Sequence, residues 1–126
     1  MEFDTTRPIY RQIIDDFKKQ MIRGELKNGD KIFSQREYAA RAQINPNTVQ
    51  RAYREMENMN LVLTMRGQGT FINVNEDRLR ELKREMAQGL VDRFIKEMHS
   101  LEFNQKEVLK MLKEKYPDEE GQNDRV

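Results

Sequence analysis

The sequence predicts a mainly α protein with one small β-hairpin, on three observations. Apolar residues recur at helical spacing in four separate segments, and a fifth, short segment opens on a capping pair. Two β-prone runs, "LVLT" and "TFINV", flank the Gly-containing stretch "MRGQG". At 126 residues without a cysteine, the chain is one ordinary domain, or a small domain with an appendage, and no disulfide or thiolate metal site staples it.

The first helix is written "PIYRQIIDDFKKQMI". Pro8 suits a first turn, where its missing N–H is not needed, and Ile9, Ile13, Phe17 and Met21 form one apolar face. Gly24 ends it, and Gly29 in "KNGDK" supplies a turn with positive φ. Ser34 and Glu37 have the spacing of a capping box for a short second helix, about Gln35 to Ala42. Asn45 and Pro46 then read as N-cap and first residue of a third helix. A gap of about three residues forces the two helices to cross steeply, as in a helix-turn-helix. In the third helix Val49, Ala52, Tyr53 and Met56 make the core stripe, while Asn47, Gln50, Arg51 and Arg54 take the opposite side. Asn60 is expected as a left-handed terminator. Three helices followed by a hairpin is the order of a winged helix-turn-helix.

From Glu76 the helical pattern returns. Leu79, Leu82, Met86, Leu90, Phe94, Met98 and Leu101 keep one stripe, interrupted by Gly89 at a cost of about 1 kcal/mol relative to Ala. Asn104 and Glu107 cap a last helix bearing Val108, Leu109, Leu112 and Tyr116. An acidic tail from about Pro117 is expected to be disordered. The expected organisation is therefore a winged domain over residues 1–75 and a two-helix segment with its tail over 76–126.

The net charge of +1 hides an uneven distribution. Between Phe33 and Arg54 the only acid is Glu37, against Arg36, Arg41, Arg51 and Arg54, which suggests a polyanion partner for that segment. The third helix also opens on "NPNTVQR", polar where a core helix would begin burying itself. A helix N-terminus suits phosphate, and Asn, Gln and Thr side chains there reach base edges once it enters a major groove. The plainer alternative leaves Asn45 and Thr48 as caps and Asn47 as solvated surface. Enzyme chemistry has little support. His99 is the single histidine, with no nucleophile motif nearby, and no Gly-rich phosphate loop is present. No metal or cofactor is expected. No apolar run reaches the ~20 residues of a membrane span, and "MEFDTTRP" is unlike a secretory signal, so a cytoplasmic location is expected.

"FSQREYAARAQINPNTVQRAYREMENMNLVLTMRGQGTFI" resembles the winged helix-turn-helix of the GntR family of bacterial transcription regulators. The short C-terminal region resembles the small YtrA-like branch. The resemblance covers roughly Ile9 to Val74 and rests on three motifs. These are Ser-x-Arg-Glu opening the second helix, Asn-x-x-Thr-Val opening the third, and Arg-Gly-x-Gly-Thr-Phe in the wing. It implies DNA contacts from Arg36, from Asn45, Asn47, Thr48 and Gln50 of the recognition helix, and from Arg66 and Gly67 of the wing. Arg51 and Arg54 join these candidates from helix geometry alone. The chain departs from the wider family at Pro46 and Gln50, where Arg is common, at Ile32-Phe33 for Leu-Pro, and at Gln43 for a turn Gly.

Two helices alone make a poor core, so the C-terminal stripe is expected to pair with a second copy. Leu82, Met86, Leu90, Phe94 and Met98 are the expected dimer interface. Together these readings describe a dimeric repressor of transcription on a pseudo-palindromic double-stranded DNA operator. The alternative is a winged module that binds protein instead. The sequence is silent on a small-molecule effector.

Overall fold

Helix α1 (Ile9–Ile22) forms behind Pro8 and buries Ile13, Ile14, Phe17 and Met21 along one side. The computed structural model describes residues 3–116. Strand β1 (Lys31–Ile32) and helices α2 (Gln35–Ala42) and α3 (Pro46–Asn58) follow. Next come β2 (Val62–Met65), β3 (Gly69–Ile72), α4 (Glu76–Ser100) and α5 (Gln105–Lys115). The expected tail from about Pro117 lies outside the described residues.

Helix α3 turns Val49, Ala52, Tyr53 and Met56 inward, each fully buried, as its spacing requires. They meet α1, Ala39 of α2 and the inner faces of the strands in one core that also holds Leu61, Val62 and Ile72. The larger aliphatic side chains, Val49 and Met56 among them, each contribute about 1.5–3 kcal/mol on burial, so α3 is fixed by its inner face and its outer face is free for other use. Phe17, Tyr38 and Tyr53 pack as an aromatic trio with centroids 5.5–6.1 Å apart. Tyr53 donates its hydroxyl to the Phe33 carbonyl at 2.6 Å. That bond ties α3 to the entrance of α2, and burial pushes the phenol well above the usual tyrosine range.

Four helices end on the same device. After α1, α2, α3 and α4, a left-handed residue (Gly24, Gln43, Asn60, Glu102) is followed by an N–H reaching back to Gln20, Ala39, Met56 and Met98 respectively. Asn60 takes the role its place in the sequence suggested.

The sheet is larger than the expected hairpin. β1 pairs antiparallel with β3, giving the order β1-β3-β2, with Lys31 opposite Phe71 and Ile32 opposite Thr70. A two-residue strand has no periodicity to read. The loop before it is held by Gly29 N–H to Ile72 O and Ile72 N–H to Asp30 O, both at 2.8 Å.

The chain forms two compact units, Met1–Arg84 and Glu85–Val126, so the division falls inside α4 rather than at Asn75. Leu82 corrects the expected dimer face. It is 1% exposed and belongs to the core of the first unit, with Leu79 packed against that core. The physical reason is that α4's first turns close the winged domain with the same stripe that continues beyond it. In the second unit the described residues include none that is fully buried. Leu90 and Phe94 are exposed, Met86 and Met98 half-buried, and Val91 and Ile95 widen the apolar face beyond the expected stripe.

Candidate nucleic-acid interface

Ser34 starts α2 by accepting the Glu37 N–H at 3.1 Å. The Glu37 carboxylate lies 3.7 Å from Arg41 one turn on. α2 ends on Gln43 in the left-handed region (φ 56), where most residues cost about 1–2 kcal/mol and Gly costs none. Ile44 then returns its N–H to Ala39 O, and α3 begins two residues later.

The mouth of α3 differs from an open anion cradle. Pro46 has no N–H. Asn47 donates its N–H to the Asn45 side chain at 2.8 Å, and Thr48 and Val49 donate theirs to the Asn45 carbonyl at 3.0 and 3.2 Å. Every backbone donor of the first turn is thus occupied. Recognition by this helix end falls to side chains, and the expectation of free amides for phosphate is corrected. Asn45 itself is a cap, with its side-chain oxygen in use. Thr48 is half-buried, while Asn47 and Gln50 stand exposed.

Arg36, Asn47 and Gln50 line one open groove of about 510 Å³ between α2 and α3, floored by Ala39, Ile44 and Pro46. Arg36 also lines a second open groove of about 930 Å³, whose far bank carries Arg66 and Gly67. Gln35 and Arg36 are therefore the shared edge of two adjoining grooves. The turn at the wing tip is closed by Gln68 N–H to Met65 O at 2.9 Å. Gly67 has φ 78, the positive value that a type II turn requires at its second central position, and Arg66 occupies the first. Thr64 braces the wing, bonding Glu57 of α3 at 2.9 Å and Thr70 across the hairpin at 3.1 Å.

The four arginines of the basic segment divide in two. Arg41 lies over the Phe33 ring, 4.4 Å from its centroid. Arg51 stacks on Tyr10 of α1 at 3.9 Å and donates to its hydroxyl at 3.2 Å. Arg11 donates to the same oxygen at 3.0 Å. Arg36 and Arg54 have no ion-pair or ring partner among the described residues, and neither has Arg66. Arg54 lies away from both grooves. Tyr10 is the residue that sequence reasoning missed. Its partner is 41 positions distant, and no local pattern announces the contact.

The family model for bacterial regulatory proteins of the gntR family matches residues 9–72, the stretch from α1 to the end of β3. The chain belongs to the GntR family. It is 41% identical over 112 residues to the HTH-type transcriptional regulator YhcF of Bacillus subtilis (strain 168), covering 89% of this chain and 93% of that one. To the HTH-type transcriptional repressor YtrA of the same organism it is 38% identical over 94 residues, covering 70% and 72%. Among solved structures, a GntR family transcriptional regulator from Listeria monocytogenes superposes with a TM-score of 0.78. The identity there is 35%, over 89% of this chain and 98% of that one. This GntR-family chain is thus a DNA-binding transcription regulator, and its relatives and fold are those of regulators, not enzymes. Among the described residues no helix is long and apolar enough to cross a membrane. Nor is there among them a group of three or more acidic or His residues able to hold a metal ion.

Proposed function

We propose that this chain is a cytoplasmic repressor that binds a pseudo-palindromic operator as a homodimer. The observation that carries base reading is the convergence of Arg36, Asn47 and Gln50 on one groove, with Arg36 shared by the wing groove. Asn or Gln pairs bidentately with adenine and Arg with guanine, so this trio has the chemistry of a major-groove reader. Arg66 at the turn tip faces the adjacent minor groove, and Arg54 takes a phosphate. Arg51, held over the Tyr10 ring, serves as a pre-ordered backbone contact. The repressor sense is supported by the likeness to the YtrA repressor.

The dimer is supported by the second unit. Leu90, Val91, Phe94, Ile95, Leu109 and Leu112 line an open apolar groove of about 660 Å³, and α5 buries none of its residues within the chain. Contiguous apolar surface of this kind marks an interaction site. A second copy closes it with the same chemistry, and the resulting two-fold axis matches an inverted repeat in the DNA.

The test is selection of duplexes from a random pool by the full-length chain. Enrichment of an inverted repeat, lost in Asn47→Ala and Gln50→Ala, is the expected result. A chain that enriches nothing, with salt-independent retention of duplex, contradicts the proposal, because phosphate contacts leave a steep salt signature.

A further inference from the structure

Strand β1 opens on a cation that sits at the root of the wing. Lys31 is opposite Phe71, and its neighbour Ile32 is buried, so strand alternation sends Lys31 to the outer face of the sheet. There its stem crosses β3 at Gly69. A Cβ built on Gly69 would stand 2.6 Å from Lys31 Cε and 3.4 Å from Nζ. The missing side chain leaves room for the lysine stem in this position. Gly69 is paired with Met65, which immediately precedes Arg66 of the tip. Lys31, Arg36 and Arg66 line the same groove, and its one acidic residue, Glu37, lies beside Arg41. Among the described residues no carboxylate pairs with Lys31.

Laying a lysine across a neighbouring strand costs side-chain entropy, and the sheet does not need the ammonium for its pairing. We infer that Lys31 is a further DNA contact, an anchor for a backbone phosphate beside the wing, and that Gly69 is the residue that positions it. This rests on the proposal that α3 and the wing face a duplex. An ammonium is a point charge, suited to neutralising a phosphate and carrying no base preference. Lys31 therefore sets affinity and register while Asn47 and Gln50 set sequence.

The experiment measures affinity of the full-length chain for a random-sequence duplex and for the selected duplex across a salt series. Lys31→Gln is expected to weaken both roughly three- to tenfold at low salt and to make the salt slope shallower by about one unit, with base preference unchanged. Lys31→Arg restores affinity and slope. Gly69 also holds φ 127, which strains any side chain, so Gly69→Ala is read through the double variant: it reproduces the loss, and Lys31→Gln added to it costs nothing further. Thermal melting of Lys31→Gln tracks the parent, since the side chain is exposed. Unchanged affinity and slope in Lys31→Gln, while the parent binds normally, overturns the inference. So does weaker binding with an unchanged slope. Intact binding by Gly69→Ala overturns the positioning role. A parent chain without salt-dependent duplex binding is a different failure, that of the duplex proposal itself.

Discussion

Leu82 and Leu90 carry the same side chain on the same helix, about two turns apart. One is 1% exposed and the other 56%. The first unit uses α4's opening turns to finish a core already built from α1, α3 and the sheet. The described residues of the second unit make two helices around a groove and do not fill it. An identical apolar period thus closes a core within the chain at one end of the helix and, on the dimer proposed above, would be closed by a second copy at the other. What distinguishes them is the amount of other apolar surface within reach, which is a property of the tertiary fold.

The sharpest way to break this comparison is to charge the open face. Leu90→Asp with Phe94→Asp should cost on the order of 5 kcal/mol or more of association free energy, because four carboxylates, two from each chain, would be buried unpaired. Light scattering should then report single chains at micromolar concentration, with the far-ultraviolet spectrum of the winged domain retained. The reciprocal change, Leu82→Ala, should cost about 2–5 kcal/mol of stability in the first unit through the cavity it leaves. Denaturant melting should register that loss, while Leu90→Ala should leave the melting of the first unit unchanged. Equal effects of the two alanines would mean that Leu82 and Leu90 serve the same core.

A smaller effect concerns the outer face of α3. Asn47→Ala or Gln50→Ala should lower specific affinity by about 1–3 kcal/mol and leave random duplex nearly unaffected. Competition binding separates the two. Loss on both duplexes alike would identify these side chains as backbone contacts.

Caps and turns were legible in the sequence because their signals are local. Ser34, Asn45 and Asn104 cap their helices as their spacing predicts, with the full reciprocal box at Asn104 and Glu107. The core stripe of α3 was legible for the same reason, and with it the polar face opposite. Three features were not. β1 is too short for a period, and its pairing is made across the chain with β3. The stack of Arg51 on Tyr10 joins two helices through a tertiary contact. The occupied amides at the mouth of α3 follow from Pro46 and Asn45, both visible in the sequence, yet only the bond partners reveal that no donor remains.

The least of the expected effects tests that local reading. Gln43 holds a left-handed conformation where glycine is unstrained. Gln43→Gly should raise stability by on the order of half a kcal/mol, the relief of strain exceeding the extra freedom of the unfolded chain. A decrease in melting temperature would mean that the glutamine side chain stabilises the turn by more than its backbone costs.

The central claim, that a second copy closes what the second unit leaves open, is tested most directly by sedimentation of the unmodified full-length chain without DNA. At micromolar concentration a particle of two chains is expected, and the same two chains on one selected duplex. A single-chain mass at that concentration would contradict it, and would leave the Leu90–Leu112 groove to some other partner.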